Sequence, residues 1–299
     1  MKCVQDASYF INKFCVIQHP QRGKIKFLLY DYQEEVLNAY ENNRYNVVLK
    51  ARQLGISTLT AAYSLWMMLF QSDKNVLCIA TAKDTAKNLV TKVRVMYDNL
   101  PSWLQTQIVE NNKLSLTFKN GSQIKAIASN ESAGRSEALS LLILDEAAFI
   151  ERIDTIWTAA QPTLATGGDC IVLSSPNGIG NWFHKSYIEA EAGISERVGD
   201  KNISFNAIVL PWSRHPERDE EWARQERKTI GDQAFAQEHG CDFLQSGNNV
   251  VSLKALSWYE HHPTEEEVSD DGFRPFLREP EEKTWIDKNL WIWKYPDYT

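Results

Sequence analysis

A chain of 299 residues with 43% hydrophobic and 24% charged residues has the length and make-up of a soluble globular protein with a sizeable buried core. A formal charge of -7 excludes a basic surface overall, so a nucleic-acid partner would be met by local basic patches. The five cysteines form no CxxC pair and no zinc-type spacing, which predicts reduced thiols; no run of about 18 apolar residues is present to span a bilayer, and no signal peptide opens the chain.

In chain order, residues 7–14 read as a helix and 25–29 as an extended segment. A helix follows over 30–40, with Asp31 as its cap. A β-branched strand is predicted over 45–49, and the apolar stretch 59–70 is too short for a membrane and reads as a core helix. A strand over 76–80 leads to a long helix over 84–100, with apolar positions at Leu89, Val93 and Met96 and Pro101 as its stop. Asn120-Gly121 between two alternating runs, 114–118 and 123–127, is a hairpin signal. Strands over 141–144 and 170–173 each precede a helix, at 155–160 and 181–192. A strand over 205–210 is followed by two charged helices, 217–228 and 232–239. From Thr264 the chain is acidic and Pro-containing, then aromatic at Trp285, Trp291, Trp293 and Tyr295, and reads as a linker. His261-His262 reads as a solvated pair. The alternation predicts an α/β fold with a mostly parallel sheet flanked by helices. The expected division is a core over 29–204, a small lid formed by 1–28 with 205–250, and a linker over 251–299.

The chemistry gathers at two places. Val47-Val48-Leu49 enters Lys50-Ala51-Arg52-Gln53-Leu54-Gly55-Ile56-Ser57-Thr58, and a helical apolar pattern leaves it. Strand, loop and helix N-terminus in that order form the anion-gripping arrangement of P-loop ATPases. Gly55 and Ser57 fit G-x-x-x-x-G-K-[ST], but Ile56 stands where the lysine is usual and Lys50 where the first glycine is usual. Lys50, at the start of the loop, can curl back over the phosphates, and Ser57 would give its hydroxyl to Mg²⁺. The second place is Leu141-Leu142-Ile143-Leu144-Asp145-Glu146, a buried strand that delivers two acids to its C-terminal edge. In an ATPase the first acid, Asp145, holds the metal shell and the second, Glu146, orients or deprotonates the attacking water. Gln33 is a candidate for the adenine edge. Arg52, and Arg135 in Ser132-Ala133-Gly134-Arg135-Ser136, are candidate charge stabilisers for the transferring phosphoryl group. Ser174, Ser175, Pro176 and Asn177 end a buried strand beside the site and are candidate γ-phosphate sensors. Each has a plainer reading too: a surface glutamine, solvated arginines, turn chemistry around Pro176-Asn177-Gly178.

Asp31-Tyr32-Gln33, Ala51-Arg52-Gln53-Leu54-Gly55-Ile56-Ser57, Leu144-Asp145-Glu146-Ala147-Ala148-Phe149 and Ser175-Pro176-Asn177-Gly178 together resemble the large terminase subunit of tailed bacteriophages, from about residue 8 to 290. The resemblance implies an ASCE-type P-loop ATPase with a lid, binding ATP and Mg²⁺. It implies double-stranded DNA, the portal protein of a procapsid and a small terminase subunit as partners. It also implies a homo-oligomeric ring at work, no membrane, and a place in the host cytoplasm with transient docking on the procapsid. On this sequence Gln33 matches the adenine contact, Ser57 and Asp145 the Mg²⁺ ligands, Glu146 the catalytic carboxylate, and Ser174 to Asn177 the coupling motif. Arg52 or Arg135 matches the arginine finger. A variant loop with its lysine at the start occurs in the family, and Lys50 fits it. The family's C-terminal nuclease would begin about where this chain stops, so no cutting activity is expected. Two other readings stay open: another nucleic-acid ATPase such as a helicase, and a non-hydrolysing assembly subunit, which Ile56 favours.

Overall fold

Short apolar runs with no polar face can be satisfied as strands only in a sheet covered on both sides. A computed structural model shows such a sheet. It describes residues 2–19, 21–129, 138–194, 196–198, 201–244 and 246. Helices α1 (Lys2–Gln5) and α2 (Ala7–Phe14), then a hairpin of β1 (Val16–His19) and β2 (Gly23–Lys26), lead to α3 (Asp31–Asn42). The core continues through β3 (Tyr45–Lys50), α4 (Ile56–Phe70), β4 (Asn75–Ala80) and α5 (Lys83–Asp98). A meander of β5 (Ile108–Asn112), β6 (Ser115–Phe118) and β7 (Gln123–Ala128) precedes β8 (Leu141–Asp145), α6 (Ile153–Ala160), β9 (Asp169–Ser174) and α7 (Trp182–Glu191). A small hairpin, β10 (Glu196–Val198) with β11 (Lys201–Ile203), is followed by β12 (Asn206–Leu210), α8 (Glu220–Ile230) and α9 (Asp232–Phe235).

The main sheet has eight strands in the order β12-β3-β9-β8-β4-β7-β6-β5. Every pair from β12 to β7 is parallel, and β6 and β5 close one edge antiparallel. Successive side chains point to opposite faces. Val48, Cys78, Ile143 and Leu173 join one apolar cluster with α2, α3, α4 and α5. Val47, Ile79, Leu144 and Val172 join the other, with α6 and α7. Strand β9 separates β3 from β8. The loop after β3 and the acids after β8 therefore leave strands two positions apart, roughly 10 Å at ordinary strand spacing. That gap is the width a phosphate chain needs.

The turn between β6 and β7 is the expected one. Gly121 takes φ +82°, and a Cβ there would meet Asp73 Oδ1 at 2.1 Å, so glycine is required for two reasons. Asn120 Nδ2 donates to Met68 O at 2.8 Å and so ties this turn to the end of α4.

Three expectations need correction. Tyr30, not Asp31, is the N-cap of α3, and Asp31 is its first helical residue. The hairpin β1–β2 and strand β5 are additional elements; Val-Ile-Gln-His and Ile-Val-Glu-Asn-Asn carry no clear period-2 pattern because these strands lie at sheet edges. The proposed lid of 1–28 with 205–250 also divides differently. Strand β12 pairs with β3 and belongs to the main sheet. Phe10, Ile11, Cys15 and Phe27 are buried in the same cluster as α3, α4 and α5. The reason lies in α4, which is buried from Ile56 and Leu59 through Leu69 and needs cover on its outer side. Helix α2 supplies it, and Trp66 Nε1 donates to Cys3 O at 2.7 Å. What remains of the predicted lid is a segment after Pro211: α8, α9 and a π-helical turn, Ala236–Gly240, packed through Trp212, Trp222, Phe235 and His239. The expected linker over 251–299 lies outside the described residues. Among the described residues no helix is long and apolar enough to cross a membrane.

Candidate active site

Strand β3 is buried along its whole length and ends at Lys50. The chain then reverses through a loop held from three sides. Ala51 N donates to Leu210 O at 2.8 Å, and Arg52 N donates to Glu238 O at 2.7 Å. Tyr32 Oη and Gln33 Nε2 both donate to Leu54 O at 2.9 Å, so the start of α3 props the loop from behind. Gln53 and Gly55 take positive φ, and a Cβ at Gly55 would lie 2.6 Å from Gln33 Nε2. Ile56 is buried and its side chain joins the core cluster. The N-terminus of α4, with its unpaired N–H groups, opens onto a cavity of about 290 Å³. Residues 50–58, Lys92 and Glu146 line it.

Strand β8 brings Glu146 to this cavity and Asp145 within hydrogen-bond distance of Ser57 on its wall. Asp145 Oδ1 accepts from Ser57 Oγ at 3.3 Å and from Glu146 N at 3.1 Å. Glu146 Oε1 sits 3.3 Å from Lys50 Nζ, while Glu146 Oε2 is buried with no hydrogen-bond partner among the described residues. Glu146 itself has φ 55° and ψ 44°, the left-handed region, which costs a non-glycine residue about 1 kcal/mol. A strained backbone and an unpartnered carboxylate oxygen at one residue are the marks of a group held ready for chemistry. Burial pushes the Asp145 carboxyl above the usual carboxylate range; Lys50 pulls it back and Glu146 adds to the rise. Asp145→Asn keeps the Oδ1 acceptor but removes a buried charge. It is expected to raise the melting temperature of the ligand-free protein by about 2–4 °C, read by thermal unfolding.

Strand β9, between the two, ends in Ser174 and Ser175, both fully buried. Ser174 Oγ accepts from Ala148 N and Asn177 Nδ2 donates to Ala148 O, each at 3.1 Å. The segment that follows Glu146 is thus clamped by the end of the neighbouring strand. Ser175 Oγ is buried without a partner among the described residues.

A family model described as "Terminase large subunit, T4likevirus-type, N-terminal" matches residues 47–257, a span that contains the loop, both acids and the β9 turn. The chain belongs to the terminase large subunit family. Among solved structures, the Thermus phage P74-26 large terminase ATPase domain is 23% identical, with TM-score 0.55 over 73% of this chain and 95% of that one. The HK97 bacteriophage large terminase is 18% identical, with TM-score 0.61 over 85% of this chain and 58% of that one. The large terminase of thermophilic bacteriophage D6E, solved with ADP, is 12% identical, with TM-score 0.55 over 72% and 53%. At these identities the likeness is one of fold, and it agrees with the ASCE-type sheet in which β9 separates the loop strand from the acid strand.

In this terminase chain the structure brings together Lys50 to Thr58 and Glu146 at one cavity, with Asp145 behind it bonded to Ser57. Gln33 stands behind the loop with both ends of its amide bonded to backbone, Nε2 to Leu54 O and Oε1 to Tyr30 N at 3.2 Å. The Arg52 side chain pairs with Glu238, and Arg218 donates to the carbonyls of Arg52 and Gln53 at 3.1 and 3.4 Å. Arg218 also lies over the Trp222 ring at 4.6 Å, so the helical segment after Pro211 is fastened to the loop. Arg135 lies outside the described residues.

Sequence reasoning missed Arg218, Glu238 and Lys92. The first two sit in charged helical stretches that look solvated. Lys92 carried a signal: it falls three residues after Leu89 and four before Met96, on the apolar stripe of α5 and not on its polar face.

Proposed function

We propose that this chain is the ATP-hydrolysing motor domain of a phage packaging terminase and drives double-stranded DNA into a procapsid. The observation that carries the reading is the meeting of Ser57 with Asp145, and of Lys50 with Glu146, at the mouth of a loop that ends in a helix N-terminus. Membership of the terminase large subunit family supports it, and so does the solution of fold relatives as ATPase domains or with ADP.

In this reading the loop N–H groups and the α4 N-terminus bind the phosphates of ATP. Glu146 Oε2 accepts the proton of the attacking water, and the pairing of Oε1 with Lys50 holds the carboxylate in position. A hydroxyl and a buried carboxylate suit Mg²⁺, a hard cation that takes one or two protein oxygens and completes its shell with phosphate and water. Ser57 and Asp145 would hold it, and it would neutralise charge on the phosphates. The cation would also supply counter-charge to the Asp145 carboxylate and so offset the effect of its burial. Ser174 and Asn177 would carry a change at Glu146 into the β9 turn through Ala148. The Arg52–Glu238 pair and Arg218 would carry a change in the loop to the helical segment. Gln33 would set the shape of the loop rather than read adenine. Family membership supports a portal protein as partner, and a small terminase subunit and a homo-oligomeric ring are part of the same proposal.

The test is ATP hydrolysis with Mg²⁺, with and without duplex DNA, followed by DNA uptake into procapsids scored as protection from nuclease. Turnover with protected DNA is the expected result. Strand separation without uptake would transfer the site to a helicase. Nucleotide binding with no turnover under any of these conditions would make the chain a non-hydrolysing assembly subunit.

A further inference from the structure

The usual lysine of a phosphate loop is absent, since Ile56 occupies its position and is buried in the core. Lys50 is the expected replacement, but its amine is engaged 3.3 Å from Glu146. A second amine reaches the same cavity. Lys92 lies in the middle of α5, on a helix that packs against α4, and its side chain lines the cavity together with the loop and Glu146. Among the described residues it makes no hydrogen bond and no ion pair within contact distance. Asp145, Lys50 and Glu146 act on it only through space. Burial lowers its pKa, and Asp145 works against that fall.

Lys92 is half-buried, and its side chain lines the cavity without a contact partner among the described residues, so an anionic ligand there would meet an unneutralised cation. The chemistry that fits is an oxyanion between the loop N–H groups, Lys50 and Lys92. Lys92 approaches from the β4–α5 side, whereas Lys50 lies at the base of the loop beside Glu146. The two cations are therefore not redundant. One sets the carboxylate, and the other is free for the ligand.

We propose that Lys92 is the residue that contacts the terminal phosphate of a nucleoside triphosphate in this site, taking the part of the lysine that the loop lacks. The assignment rests on the reading of the cavity as a nucleotide site and adds a discriminating residue to it. A cation on the terminal phosphate distinguishes triphosphate from diphosphate, because ADP presents nothing for it to hold. It also gives α5, and through α5 the β4–β7 half of the sheet, direct contact with the state of the nucleotide.

Binding of ATPγS and of ADP, each with Mg²⁺, is to be measured by calorimetry on the full chain and on the Lys92→Met and Lys92→Arg variants. The expected result is a loss of about 10–100-fold in ATPγS affinity for Lys92→Met, with ADP affinity little changed and Lys92→Arg close to the parent. The melting temperature of ligand-free Lys92→Met should equal or exceed that of the parent, because a half-buried charge with no contact partner has gone; a purely structural lysine would lower it. Equal losses for both nucleotides, or no loss for either, would overturn the assignment and leave the nucleotide site standing. An unchanged ratio of the two affinities with a shifted Mg²⁺ requirement would make Lys92 the counter-ion of Asp145, which also overturns it. Failure of the parent chain to bind either nucleotide would remove the nucleotide reading and this assignment together.

Discussion

Glu146→Gln is expected to lower steady-state ATP turnover by about 10²–10⁴-fold while leaving ATP binding in place. The amide is nearly isosteric with the carboxylate, keeps an acceptor near Lys50 and fits the same left-handed backbone. It cannot take a proton from water. Glu146 Oε2 has no partner among the described residues, so its capacity to accept a proton is what the substitution removes. Hydrolysis and equilibrium binding of ATPγS on the same sample check the prediction. Turnover within a few-fold of the parent would move the general base elsewhere. Loss of both binding and turnover would mean that the carboxylate shapes the site and does not act on water.

Lys50→Ala is expected to reduce turnover by about 10²-fold and to destabilise the ligand-free fold, with a smaller effect on nucleotide affinity. The Lys50 side chain is 7% exposed and faces two carboxylates, Glu146 at 3.3 Å and Asp145 beside it. Removing the amine unmoors Glu146 and leaves both acids with less counter-charge. Glu146 is 24% exposed, so water screens part of the loss, and about 1–3 kcal/mol is the expected cost at neutral pH. The pH dependence has a definite sign. Asp145 already titrates above its unfolded value, and loss of Lys50 raises it further. The folded state then holds a proton that the unfolded chain releases. The deficit is therefore largest above the folded pKa and shrinks as pH falls toward the unfolded one. Thermal melts of parent and variant at mildly alkaline and mildly acidic pH measure this. A deficit that grows on acidification would contradict the arrangement.

The two lysines show where sequence reading stops. Lys50 is visible from its place at the start of the loop, but the loop alone suggests a residue that curls over phosphates. Its neighbour in space is Glu146, 96 positions away, because β3 and β8 end on the same side of the sheet. Lys92 has no motif at all, and its position on an apolar stripe gains meaning only once α5 is seen to pack beside α4. Gln33 was legible only as a candidate for the adenine edge. That its amide holds Leu54 O and accepts from Tyr30 N depends on how α3 meets the loop. Arg52 stood out as a cation in the loop, and its turn toward Glu238 follows from the segment after β12 folding back over that loop.

The local part of this protein is written in its residues. The apolar runs of β3, β4, β8 and β9, the apolar helix α4, the Asn120-Gly121 turn and the order strand–loop–helix all come from residues close together in the chain, where side-chain spacing and backbone preference act directly. The acid pair at the end of β8 was legible for the same reason. Packing in three dimensions settled the rest: β9 between the loop strand and the acid strand, β12 in the sheet rather than in the predicted lid, α2 as cover for α4, and the surroundings of Lys50, Lys92 and Arg52. These depend on strand order and helix packing, which bring together groups separated by scores of residues. Burial and charge act on those groups through distance in space, and no local pattern in the chain encodes that distance.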